Sequence, residues 1–102
     1  MAEIRWTPQA IEDIENIAKY IANDSPKYAA IQVEEFFDAA LILEDFPHSG
    51  RIVPEIGNKN IRELIVGFYR LIYRIRNSNL VEVITVYHSY RLLKPKEFKK
   101  QK

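Results

Sequence analysis

The chain has 102 residues, 47% of them hydrophobic and 28% charged, with no cysteine and a formal net charge of +1. A chain of that size closes one modest core, offers neither a disulfide framework nor a thiolate metal site, and is too nearly neutral to be marked as a general nucleic-acid binder. It has no run of about 18 apolar residues that could span a membrane, and Met1–Trp6 lacks the basic and apolar regions of a signal peptide, so cytoplasm is the expected location.

Charge is unevenly distributed along the chain. Glu3, Glu12, Asp13, Glu15, Asp24, Glu34, Glu35, Asp38 and Glu44 lie in the first half, whereas Arg51, Arg62, Arg70, Arg74, Arg76, Arg91 and a lysine-rich tail follow. Period-2 geometry sends Arg70, Arg74 and Arg76 to one face of the strand expected there, and with that asymmetry it points to one anion-seeking face.

Ile4 and Trp6 alternate with Glu3 and Arg5, which predicts a short first strand. Thr7-Pro8 reads as an N-cap followed by a first helical residue, where the missing N–H of proline is harmless. Ile11, Ile14, Ile17, Ala18 and Ile21 recur at helical spacing, so a helix is expected over about residues 8–22. Ser25-Pro26 repeats the start signal. Ala29, Ala30, Val33, Phe36, Phe37, Ala40 and Leu41 then give a second apolar stripe that stops near Phe46-Pro47. The short link between the two predicts an antiparallel helical hairpin.

Beyond Gly50 the apolar period changes to two. Strands are expected at Ile52-Val53, Ile61–Val66, Tyr69–Arg76 and Leu80–His88, with Gly67-Phe68 at the corner of one hairpin. The whole of 1–102 is read as one α+β domain, a helical hairpin packed on one face of a twisted antiparallel sheet. A three-residue loop Asn77–Asn79 would pair Arg76 with Leu80, Arg74 with Glu82, Ile72 with Ile84, Arg70 with Val86 and Phe68 with His88. Arg74–Glu82 would then be a cross-strand ion pair. Arg70 and His88 would be diagonal neighbours on one face, roughly 7 to 8 Å apart at the backbone. Leu71, Tyr73, Ile75, Val81, Val83 and Tyr87 would point to the helices.

Trp6-Thr7-Pro8-x-Ala10, Asp13-x-x-x-Ile17-x-x-Tyr20-Ile21, Pro47-x-x-Gly50-Arg51, Arg62-Glu63-Leu64, Tyr69-Arg70-Leu71-Ile72-Tyr73 and Val86-Tyr87-His88-x-x-Arg91 follow one another in the chain. This ordered set resembles the RelE/ParE toxin superfamily over nearly its full length. The resemblance implies the toxin half of a type II toxin–antitoxin module, neutralised by a cognate antitoxin in a hetero-oligomer. ParE-like members inhibit DNA gyrase and cleave nothing. RelE-like members are ribosome-dependent mRNA endonucleases, and the YoeB-type branch uses a terminal-strand His and an arginine at the Arg70 position.

Ile65 stands where an active-site arginine of the RelE branch would lie, and only Lys59 remains of a lysine pair between Gly50 and Ile61. The Thr-Pro opening, the Pro47-x-x-Gly50-Arg51 turn and the Arg62-Glu63-Leu64 strand look more like the ParE and plasmid-stabilisation group. The favoured reading is therefore a ParE-like gyrase inhibitor, with a RelE/YoeB-like nuclease acting on the ribosome and mRNA as the alternative.

In the nuclease alternative His88 would be the acid or base, being the side chain that titrates nearest neutral pH, and Arg70 would stabilise phosphate charge. In either reading Arg62, Arg70, Tyr90 and Arg91 are the candidates for contact with a target or an anion. His48 and His88 alone make no metal site, and no cofactor is expected.

Overall fold

The computed structural model describes residues 1–90. Strand β1 (Glu3–Trp6) leads into helix α1 (Pro8–Ala22) and helix α2 (Pro26–Leu41), which runs on into a 3-10 turn over Ile42–Glu44. Strands β2 (Arg51–Ile52), β3 (Ile61–Val66), β4 (Tyr69–Asn77) and β5 (Leu80–His88) complete a five-stranded sheet in the order β1-β5-β4-β3-β2. The expected α+β architecture is the observed one. The neighbouring pairs are antiparallel except that β1 lies parallel to β5, which makes the sheet mixed.

Both helices start on the signals read from the sequence. Thr7 is extended and its Oγ1 accepts from the Ala10 N–H at 3.1 Å, while Ser25 Oγ accepts from the Tyr28 N–H at 3.2 Å, each one residue before a proline. Each cap satisfies a backbone donor that has no partner within the helix. Ala10 and Ile14 of α1 and Phe36 and Ala40 of α2 are buried against Val66, Leu71, Tyr73, Val81, Val83 and Val86 of the sheet. Gly67, at φ 62°, turns β3 into β4 through a two-residue loop between the paired Val66 and Tyr69.

A second core lies on the other face of the sheet. Ile61, Ile72 and Ile84 are buried beneath Val53, with Ile56 and Tyr87 packed at the margin. The segment between β2 and β3 folds back here: the Ile56 and Gly57 N–H groups both donate to the Val53 carbonyl, at 3.1 and 2.9 Å. The sheet is therefore covered on both sides, and Arg70, on the face read as anion-seeking, is enclosed by the 53–57 segment, whereas Arg76 stays exposed.

The β4–β5 register departs from the expected one at two places. The loop is Ser78-Asn79, because the Asn77 side chain accepts from the Asn79 N–H at 2.8 Å and closes a tighter turn. Leu80 thus pairs with Asn77 rather than Arg76. A shift at Arg76 restores Arg74 opposite Glu82, as expected, but the ion pair forms from Arg76, whose Nη2 lies 2.9 Å from Glu82.

A second shift leaves Ile84 without a directly opposed residue. Tyr73 pairs with Val83 and Ile72 with Thr85, and from there Arg70 faces Tyr87 and Tyr69 faces His88. One inserted residue exchanges the two faces of everything beyond it. Val86 therefore joins the helix-side core, and Tyr87, expected there, joins the second core. His88 falls opposite Tyr69, one step out of phase with Arg70. The expected Arg70–His88 neighbourhood on one face is not formed.

Helix α1 holds this bulge open. Thr7 Oγ1 donates to the Ile84 carbonyl at 2.8 Å, and the Asp13 carboxylate accepts from the Val86 N–H at 3.0 Å and from the Thr85 hydroxyl. Backbone groups that a regular ladder would have paired are met by side chains instead.

Candidate functional site

On the roofed face the sequence patterns converge on one network. The Glu63 carboxylate is fully buried, pairing with Arg51 Nε through one oxygen and with Arg70 Nε at 2.6 Å through the other. Arg70 also grips Glu55 with both terminal nitrogens, at 2.7 and 2.9 Å. Hydrogen bonds to Glu55 outweigh the cost of burial and, with Glu63, hold the guanidinium charged more firmly than usual. Only 4% of Arg70 is exposed, so its charge is spent inside the protein.

Arg62 is similarly engaged. Its Nε donates to the Lys59 carbonyl at 2.9 Å, and its Nη1 donates to the carbonyls of Gly50 at 2.9 Å and His48 at 3.3 Å. It pins two loops together. The hydroxyl of Tyr73, itself buried, donates to the Pro47 carbonyl at 2.7 Å and accepts from the Gly50 N–H at 3.0 Å. A Cβ at Gly50 would sit 2.5 Å from the Glu63 carbonyl oxygen and 2.6 Å from the Tyr73 hydroxyl. Pro47, Gly50, Arg51, Arg62, Glu63, Arg70 and Tyr73, dispersed along the chain, thus knit the 47–63 region to β3 and β4. Beside this network lies a shallow depression lined by Arg51, Pro54, Glu55, Ile65, Arg70 and Ser89, in which Ile65 is 58% exposed.

The helix side carries a different site. A cleft of about 530 Å³ opens between α1 and the ends of β4 and β5, lined by Asp13, Asn16, Ile17, Tyr20, Tyr69 and His88 among others. His88 meets Tyr69 edge-on, with ring centroids 5.5 Å apart, and lies 5.0 Å from the ring of Tyr90. Its Nδ1 accepts from the Tyr90 N–H at 3.3 Å. Tyr69 packs edge-on against Phe36, and burial, followed by the neighbouring Tyr20, raises its phenol pKa above the ordinary value. His88 and Tyr90 are exposed and adjacent. Arg91 and the lysines beyond it lie outside the described residues.

Sequence reasoning missed Glu55, Glu63 and Asp13. Glu63 had a signal: an acid at an alternating position in an apolar strand, beside an arginine-bearing partner strand, wants that arginine. Asp13 stands in the ordered motif set, but its role was hidden, since the bulge that it fills is invisible in the pattern of β5. A further apolar groove of about 520 Å³ runs between the helices, lined by Ala18, Ala22, Ala29, Ala30 and Val33 with Lys19 and Glu34 at its rim. Among the described residues no helix is long and apolar enough to cross a membrane.

A family model, the ParE toxin of the type II toxin–antitoxin system parDE, matches residues 4–93. The chain is 36% identical over 89 residues to the presumptive toxin Y4kP of Sinorhizobium fredii, covering 86% of this chain and 88% of that one. It is 30% identical over 92 residues to toxin RelE2 of Caulobacter vibrioides, covering 90% of this chain and all of the other. In structure it resembles a chain of the chromosomal ParDE system of P. aeruginosa, with a TM-score of 0.70 over 86% of this chain and 96% of that one, at 18% identity. The chain belongs to the ParE toxin family of type II toxin–antitoxin systems.

Proposed function

We propose that this chain is a ParE-like toxin that acts by binding DNA gyrase and is neutralised by a cognate antitoxin in a hetero-oligomer. The observation that carries the choice of target is the state of Arg70. A phosphate-cleaving site needs a cation able to turn toward the scissile phosphate and an acid or base beside it. Here Arg70 is buried between Glu55 and Glu63, and His88 opens into a cleft on the other side of the sheet. Ile65, exposed where the nuclease branch carries an arginine, presents a hydrocarbon surface instead. An exposed apolar surface of this kind suits contact with a protein rather than proton transfer to a ribose.

The antitoxin reading is supported by the groove between the helices, whose small side chains leave room for an apolar segment of a partner. The test is expression without antitoxin in bacteria, following DNA synthesis and protein synthesis separately, together with supercoiling by purified gyrase. Early arrest of DNA synthesis and inhibited supercoiling are expected. Codon-specific mRNA cleavage on ribosomes, lost in His88→Ala, would establish the nuclease reading in its place.

A further inference from the structure

We propose that the cleft between α1 and the ends of β4 and β5 is a pocket for one guanidinium group, the side chain of an arginine presented by a protein partner. Asp13 is a carboxylate whose described partners are all neutral: the Gln9 side-chain amide at 2.8 Å, the Val86 N–H at 3.0 Å and the Thr85 hydroxyl. No described Lys or Arg lies within ion-pair distance of it. By contrast, Glu63 has an arginine on each oxygen and Glu82 pairs with Arg76. Asp13 thus keeps an uncompensated negative charge at a concave surface.

The rest of the lining suits a cation of planar shape. Tyr20 and Tyr69 belong to the walls, with His88 edge-on to Tyr69 at 5.5 Å. Aromatic faces attract a guanidinium through their quadrupoles, and its flat, weakly hydrated group stacks on them better than an ammonium does. Asn16 adds a side-chain oxygen as a further acceptor for its forked donors. An anion would meet the Asp13 charge with no described cation lining the cleft, and a neutral ring would desolvate that carboxylate without compensation. A volume of about 530 Å³ exceeds one guanidinium and its stem, as an open cleft that also admits neighbouring backbone should. The chemistry of this pocket is the same whichever cellular target the toxin has.

The probe is N-acetyl-arginine amide titrated at millimolar concentrations into the full chain, with ring resonances of Tyr20, Tyr69 and His88 followed by NMR. The uncharged citrulline amide is the control. Saturable shifts confined to these rings with arginine, and at least tenfold weaker binding of citrulline, are expected. Tyr20→Leu, at a position 76% exposed and therefore tolerant of change, should weaken arginine binding about two- to fivefold, the worth of one exposed cation–π contact. Asp13→Asn keeps an oxygen for the Val86 N–H and should abolish the preference for arginine over citrulline. Equal binding of the two amides, shifts that never saturate, or an unchanged affinity in Tyr20→Leu would each overturn the proposal. Should Asp13→Asn fail to fold, the citrulline control and the Tyr20 variant still decide it.

Discussion

On the face roofed by residues 53–57, Arg51, Glu63, Arg70 and Glu55 form a chain of alternating charge; on the helix face, Asp13 sits among a hydroxyl, an amide and a backbone N–H. The first arrangement consumes its charge and fixes loops to strands. The second leaves a carboxylate, an imidazole and phenol rings at a surface that a partner can reach. A row of arginines on a strand is therefore weak evidence for an external anion when acids two residues along the neighbouring strand, or in a loop able to fold over, can reach it first.

The sharpest way to break this contrast is to remove Arg70. Breaking a buried pair leaves its partners as uncompensated buried charge, at a cost of about 3–5 kcal/mol. Arg70→Ala should therefore lose much of the stability of a domain this small, as read by urea unfolding. Arg51→Ala should cost less than about 1 kcal/mol, because that side chain is 64% exposed and screened by solvent. An Arg70→Ala protein with native stability but no toxicity would show that Arg70 acts on a target rather than on the fold.

Gly50 tests the same region by crowding. Its Cβ would lie well inside contact distance of the Glu63 carbonyl and the Tyr73 hydroxyl, so Gly50→Ala should destabilise by about 1–3 kcal/mol. Tyr73 links to pH. Burial, partly opposed by the Gly50 N–H and by Arg62, raises its phenol pKa above the 10.0 of the unfolded chain. Its stabilising contribution is therefore complete below pH 10 and is lost as pH rises through the folded value. Alkaline unfolding followed by circular dichroism should be shallower above pH 10 in Tyr73→Phe than in the parent.

How much of this was legible in the sequence differs between the regions. The helices, their Thr7 and Ser25 caps and the span of β5 follow from local signals, and these elements stand where the signals put them. Faces beyond Ile84 did not follow, because strand periodicity assumes an unbroken ladder. The bulge that breaks it is held by Thr7 and Asp13, more than 70 residues away. The roof over β4 was equally hidden. Val53 and Ile56 read as a short strand and a turn, and only the chain reversal over Ile61, Ile72 and Ile84 turns them into a second core.

The helix side yields a mid-sized effect at Asp13 and the smallest at His88. Asp13→Ala unpairs the Val86 N–H and the Thr85 hydroxyl in a partly buried place, at a cost of about 1–3 kcal/mol by thermal unfolding. It should also move the His88 and Tyr69 ring resonances, since the bulge sets which face His88 takes.

His88→Ala removes an exposed ring whose partners are Tyr69, Tyr90 and one N–H at 3.3 Å, and it should change stability by no more than about 0.5 kcal/mol. The same variant separates the functions that the two faces allow. Loss of a general acid or base lowers a rate by about 10² to 10⁴, enough to abolish a nuclease toxin in a growth assay. A toxin that works by contact loses only the share of binding that one ring at the cleft rim supplies, so His88→Ala should still arrest growth when expressed alone. Full rescue of growth by that single, fold-neutral change would mean that His88 performs chemistry despite standing out of phase with Arg70, and would move the active centre to the α1 cleft.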